Sequence, residues 1–187
     1  MDSQPLQLTP VLPADFPTVI RLVNDAYRGW GAVKSWNTEV NLIAGPRLDD
    51  QSLPAMLAES PDGELLVHRD DMGTVIGTVW LEPQADRATW YLGLLCVEPA
   101  LQQQHLGARI LQAAERYAAA RGATRIRMTV VEARTTLVAW YMRRGYHDTG
   151  EREPYPVDGS HTGRPLVKGL QFMKLERMLS SPGVTSS

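Results

Sequence analysis

The residues best placed to do chemistry lie between an apolar run, Trp90 to Val97, and a helical pattern that starts at Leu106. The run is bounded by Pro99 and reads as a buried strand. Gln102-Gln103-Gln104-His105 separate the two. A chain passing from a strand end into a helix N-terminus presents N–H groups that have no partner inside the helix. The macrodipole adds partial positive charge there. Such a turn is an anion site made of main chain, suited to phosphates. Gly107 and Ala108 carry no large side chain, so a bulky diphosphate can approach closely. The backbone N–H groups from Gln104 to Arg109 would cradle it, with the glutamine amides secondary.

Other reactive side chains read more plainly. Cys96 is the one cysteine. A nucleophilic thiolate needs a basic or positive neighbour, and a lone strand cysteine is more commonly inert core. Histidines 68, 105, 147 and 161 show no metal-ligand spacing. Arg109 and Arg143 have the reach for phosphates, although arginines on exposed helix faces are usually solvated charge. No G-x-x-x-x-G-K-[ST] or G-x-G-x-x-G motif is present, which argues against a nucleotide-binding βαβ protein.

The chain has 187 residues, 43% apolar and 21% charged, with a formal net charge of −2. Those values describe an ordinary soluble globule and give nucleic acid no electrostatic support. No apolar stretch approaches a membrane span. The first residues, Met1 to Pro5, have neither a basic nor an apolar segment, so no secretory signal is expected. One cysteine fits a reducing compartment. The expectation is a cytoplasmic protein.

The periodicity then supplies elements to position the turn. Phe16, Val19, Ile20, Val23, Ala26 and Tyr27 follow helical spacing after Pro13-Ala14-Asp15. A strand is expected over 6–12, an irregular aromatic segment over 28–51, and a short helix from Ser52 to Glu59. Glu64–Arg69 and Thr74–Glu82 form a hairpin around Asp70-Asp71-Met72-Gly73, and the run before Val97 follows as a third antiparallel strand. The helix from Leu106 to Arg121 closes at Gly122. Thr124–Val131 alternates strictly, with Ile126, Met128 and Val130 on one side. Strand, helix, strand in this order predicts a parallel pair with a right-handed crossover. A helix over Thr135–Arg144, a strand over Tyr146–Glu151, a long loop from Pro154 to Pro165 and a strand over Val167–Leu175 complete the layout. One α+β domain is expected over 1–179, with a disordered tail over 180–187.

V-E-P-A-L-Q-Q-Q-H-L-G-A resembles the coenzyme-A loop of the GNAT superfamily, the acyl-CoA-dependent N-acetyltransferases. Gln102, Gly107 and Ala108 stand in the expected places around Leu106. His105 stands where a glycine is usual, and it cannot take positive φ cheaply. Residues 134–146, R-T-T-L-V-A-W-Y-M-R-R-G-Y, resemble the family's later helix through Tyr141, Gly145 and Tyr146, with Arg134 where many members have asparagine. The resemblance implies a mixed, mostly antiparallel sheet of about six to seven strands. A splayed parallel pair lies at its centre and about four helices flank it.

It also implies a function: transfer of an acetyl group from acetyl-CoA to a primary amine of a small molecule or peptide, in a ternary complex. A non-catalytic acyl-CoA-binding or regulatory protein is the alternative. Cofactor contacts would come from Leu95, Cys96, Val97, the stretch Gln102, Gln103, Gln104, His105, Leu106, Gly107, Ala108 and Arg109, and Arg134. The Val97 N–H would face the thioester oxygen and Tyr141 would act as general acid; packing on the core is the blander reading of Tyr141. The strand from Thr89 to Val97 has no carboxylate, so the base stays open among Glu132 acting through water, Glu39, Glu98, Glu151, Glu153 and a water chain to solvent. Tyr27, Trp30, Trp36, Glu39 and Tyr155 would flank the acceptor, although core packing or a dimer contact explains the same aromatics. The family also suggests a homodimer.

Overall fold

The structure, a computed structural model, describes residues 6–156 and 163–180. In chain order the elements begin with β1 (Thr9–Pro10), α1 (Phe16–Arg28), β2 (Ile43–Ala44), α2 (Ser52–Glu59), β3 (Glu64–Arg69) and β4 (Val75–Pro83). There follow β5 (Thr89–Val97), α3 (Leu106–Ala119), β6 (Arg125–Val131), α4 (Thr135–Met142), β7 (His147–Pro154), β8 (Arg164–Pro165) and β9 (Gln171–Met178). Seven strands form one mixed sheet in the order β1-β3-β4-β5-β6-β9-β7, and β2 pairs with β8 apart from it. This is the α+β layout expected, with four α-helices among the described residues.

Local chemistry explains the hairpin. The Asp70 carboxylate accepts from the N–H groups of Met72 at 3.0 Å and Thr74 at 2.8 Å, which closes the turn between β3 and β4. Side chains along β3 alternate between faces. Leu66 joins a core beneath α3 and α4, whereas Leu65 and Val67 join one beneath α1 and α2. α3 lies so close to β4 that a Cβ on Gly77 would stand 2.3 Å from Ile110 Cδ1, and the Ile110 side chain would have to move to admit it.

The site is set by what happens in the middle of the sheet. β5 and β6 pair in parallel only at Thr89, Trp90 and Tyr91, opposite Arg125, Ile126 and Arg127. Beyond Tyr91 they part, while β6 continues beside β9 as far as Val131 opposite Phe172. On its other edge β5 carries a bulge. Thr78 faces Cys96 and Trp80 faces Gly93, so Leu94 and Leu95 together oppose Val79. Leu94 takes φ of 46° to make the extra residue. Its carbonyl accepts from the buried Thr78 hydroxyl at 2.8 Å. The strand therefore bends away from β6, and a gap opens in the sheet.

Several boundaries differ from expectation. The first strand shrinks from 6–12 to two residues, and the last is Gln171–Met178 instead of Val167–Leu175. Leu166 and Val167 are exposed apolar residues before a turn in which Gly169 has φ of 71°. Pro99–Gln104 forms a 3-10 turn between β5 and α3 where the sequence suggested a direct passage. The small β2–β8 sheet falls within segments read as irregular. Of the tail expected to be disordered, 181–187 lie outside the described residues, as does the middle of the loop expected from Pro154 to Pro165. No helix among the described residues is long and apolar enough to cross a membrane.

Thr78→Val tests the bulge. It leaves the Leu94 carbonyl without its donor, and an unsatisfied buried acceptor costs about 1–2 kcal/mol. Urea denaturation should show a lower midpoint; an unchanged midpoint would mean the hydroxyl does not hold the bulge.

Candidate active site

The parting of β5 from β6 leaves a depression on each side of the β5 tip. One is a groove lined by Leu95, Cys96, Val97, Gly107, Ala108, Trp140 and Arg144, with Trp36 and Gln102 at its edge. The other is a cleft of about 320 Å³ whose walls include Tyr27, Glu39, Arg47, Tyr91, Arg134 and Tyr155. Leu95, Leu137 and Tyr141 line both. Tyr141 therefore stands between the two spaces.

The groove is backbone-rich. The Glu98 N–H donates to the Ile76 carbonyl on β4 at 2.9 Å. Amides alternate along a strand, so the Val97 N–H points the other way, into the gap that β6 has vacated. A Cβ added at Gly107 would project between Val97 and Trp140, 3.8 Å from each. The bare glycine therefore leaves free the space in front of the α3 N-terminus. His105 turns the chain into α3 with φ of 58°, a left-handed conformation costing about 1–2 kcal/mol for most residues. An extended acyl carrier ending in a diphosphate fits this groove: main-chain donors at both ends, apolar walls between.

Tyr141 is buried, its ring edge-on to Trp140 at 5.0 Å and to Tyr146 at 5.6 Å. Its hydroxyl has no hydrogen-bond partner among the described residues. Burial raises its pKa well above the ordinary phenol range, and the neighbouring tyrosines add to the shift. Cys96 lies in the core against the Thr78 hydroxyl at 3.1 Å, and burial lifts its thiol to about 12. It is an inert thiol at neutral pH.

A model of the acetyltransferase (GNAT) family matches residues 22–146. The chain belongs to the GNAT acetyltransferase family. No curated protein sequence matches it. Among solved structures, the ribosomal-protein-alanine N-acetyltransferase of Brucella melitensis has a TM-score of 0.67 and 16% identity, covering 93% of this chain and 100% of that one. A spermidine N-acetyltransferase chimera of SpeG from Vibrio cholerae and hSSAT gives 0.66 at 14% identity, over 94% and 96% of the two chains. The yncA protein of Salmonella typhimurium, solved with its cofactor acetyl-CoA, gives 0.65 at 15% identity over 97% and 98%. At these identities the likeness is one of fold. The family itself makes this protein an acyltransferase.

Within this GNAT frame the expected site residues divide. Leu95, Cys96, Val97, Gln102, His105, Gly107 and Ala108 border the groove. Leu106 is buried beneath it, while Gln103, Gln104 and Arg109 are exposed. Gln102 is a clasp: its amide donates to Ser35 Oγ at 2.8 Å and its Oε1 accepts from the Trp36 N–H at 3.1 Å. Tyr27, Glu39 and Tyr155 wall the cleft. Trp36 instead borders the groove, and Trp30 is 60% exposed and lines neither space.

Arg134, expected at the cofactor, faces the cleft instead. It donates to Glu39 Oε1 at 2.5 Å and to the Asn37 carbonyl. Glu39 Oε2 accepts from the buried Arg28, so both oxygens of this carboxylate are engaged. Glu132 is exposed, lies outside the cleft lining, and accepts from Arg152 Nε at 2.9 Å. That placement gives a base role for Glu132 no support. Tyr91, Arg47 and Arg144 were missed. Only Arg144 carried a signal, its i,i+4 spacing from Trp140, on which its guanidinium stacks at 3.6 Å.

Glu39→Gln leaves Arg28 and Arg134 without their shared anion. An orphaned buried charge costs about 3–5 kcal/mol. The variant's thermal unfolding should shift far down, and a change within error would mean the carboxylate is not what holds the cleft wall.

Proposed function

We propose that this protein moves an acetyl group from acetyl-CoA to a primary amine by direct attack, with both substrates bound at once. One observation carries the reading: among the described residues the groove and the cleft share Leu95, Leu137 and Tyr141 as lining. A carrier in the groove and an amine in the cleft would thus face one another through the gap in the sheet. Bound acetyl-CoA supplies the acyl group as a thioester, already activated toward amines.

The remaining work falls to the chain's own groups. N–H groups at the start of α3 meet the diphosphate, helped by the macrodipole. The Val97 N–H is fixed by its strand before reaction begins. A donor aimed where negative charge develops costs no reorganisation at the transition state. Trp140 and Leu137 cover the meeting point and exclude water.

Tyr141 serves the leaving sulfur. Its raised pKa keeps the hydroxyl protonated, so it is always a donor. The same shift makes full proton transfer to a thiolate uphill, since a thiol titrates near ~8.5. The hydroxyl therefore acts chiefly by hydrogen bonding to the sulfur as charge builds there. Glu39 is taken up by two arginines, and Glu153 by Lys174 at 2.6 Å. Among the described residues no unpaired carboxylate lines the cleft, and the amine proton is assigned a path through water to solvent.

Tyr141→Phe keeps the ring and removes the donor. Coenzyme A release should slow by about 10²-fold, within the range for a lost acid–base group. Acetyl-CoA should still raise the variant's melting temperature as it does the parent's. Equal turnover in variant and parent would remove Tyr141 from the chemistry.

A further inference from the structure

One basic group of the acceptor cleft stands apart from its ion pairs. Arg28 and Arg134 each hold one carboxylate oxygen of Glu39. Arg47 also lines the cleft, half-buried at the end of the segment that follows β2. Its guanidinium sits 5.6 Å from the centre of the Tyr27 ring, and the Arg134 guanidinium lies 5.4 Å from the same centre. Unlike Arg134, Arg47 makes no side-chain ion pair or hydrogen bond with any described residue.

Two described carboxylates near it are already engaged. Asp49 gives its Oδ1 to the N–H groups of Gln51 at 3.0 Å and Ser52 at 2.7 Å. Glu153, at the rim, is held by Lys174. Burial chiefly raises the pKa of both Tyr27 and Tyr91; the Arg47 charge lowers both in part, while Glu39 raises that of Tyr27 and Glu153 that of Tyr91. A guanidinium turned into a cavity with its fork of donors unused is a receptor for an oxyanion. A cavity of about 320 Å³ suits a small molecule.

We infer that the amine accepted by this cleft also carries an acidic oxyanion, a carboxylate or a phosphonate, which Arg47 binds. The acceptor is thus of the amino-acid type, and polyamines are repelled by the same charge. This rests on the acyl-transfer reading above, which places the amine in the cleft.

The test compares matched pairs: an α-amino acid, the corresponding aminophosphonate, its uncharged carboxamide, and a polyamine. Each is assayed for coenzyme A release and for equilibrium binding to the protein saturated with coenzyme A. The parent should prefer the acids over the carboxamide by roughly 10- to 100-fold, the worth of a charge-assisted hydrogen bond. In Arg47→Gln that ratio should fall toward one, and Arg47→Lys should restore part of it. The two acid arms show which oxyanion is favoured. A parent that treats carboxamide or polyamine as well as the acids, or an acid preference that survives Arg47→Gln, overturns the inference. Absence of release with every amine would instead contradict the acyl-transfer reading, and the binding ratios would then decide the Arg47 inference alone.

Discussion

Two neighbouring strands that begin paired and then separate are the constraint on which this molecule turns. In an uninterrupted sheet the amides of β5 would bond to β6, and no ligand could reach them. Here β6 is held in place by β9 along its full length, so it cannot follow when β5 bends away. The bend is produced by an extra residue in β5 whose main chain is forced into a left-handed conformation. Such a conformation persists only where its surroundings over-determine it. The Thr78 hydroxyl and the packing of Leu94 against the α1 side of the sheet supply that determination.

The segment from Trp30 to Ile43 is the second organising feature, although it has little regular structure. It is fastened at two points. Gln102 ties Ser35 and Trp36 to the turn that leads into α3, on the groove side. Glu39 ties it to α1 through Arg28 and to the start of α4 through Arg134, on the cleft side. One length of chain thus borders both spaces. On the cleft side the anchoring is ionic and buried, an arrangement in which losing either partner is costly.

Much of the frame was legible because it is periodic. The alternation of Ile126, Met128 and Val130, the helical spacing after Leu106 and the Asp70 turn each correspond to an observed element. The bulge was not legible from residue types: Leu94 sits in an apolar run, and leucine gives no sign of positive φ. His105 shows the converse. A residue that disfavours the left-handed region occupies it anyway, because the turn into α3 requires it. β2 and β8, at two residues each, are too short to carry a pattern. Val167 misled in the other direction, as an apolar residue that lies before a turn and not in a strand. At the site, a resemblance between motifs located the groove, but it could not say that Arg134 would turn toward a carboxylate from a distant segment.

The most direct measurement is hydrogen exchange at the Val97 amide, followed residue by residue with and without acetyl-CoA. The amide should exchange readily in the free protein, because its side of β5 has no partner strand, and should become protected when acetyl-CoA is added. An amide already protected in the free protein, or one whose exchange is unaltered by saturating acetyl-CoA, would contradict the account.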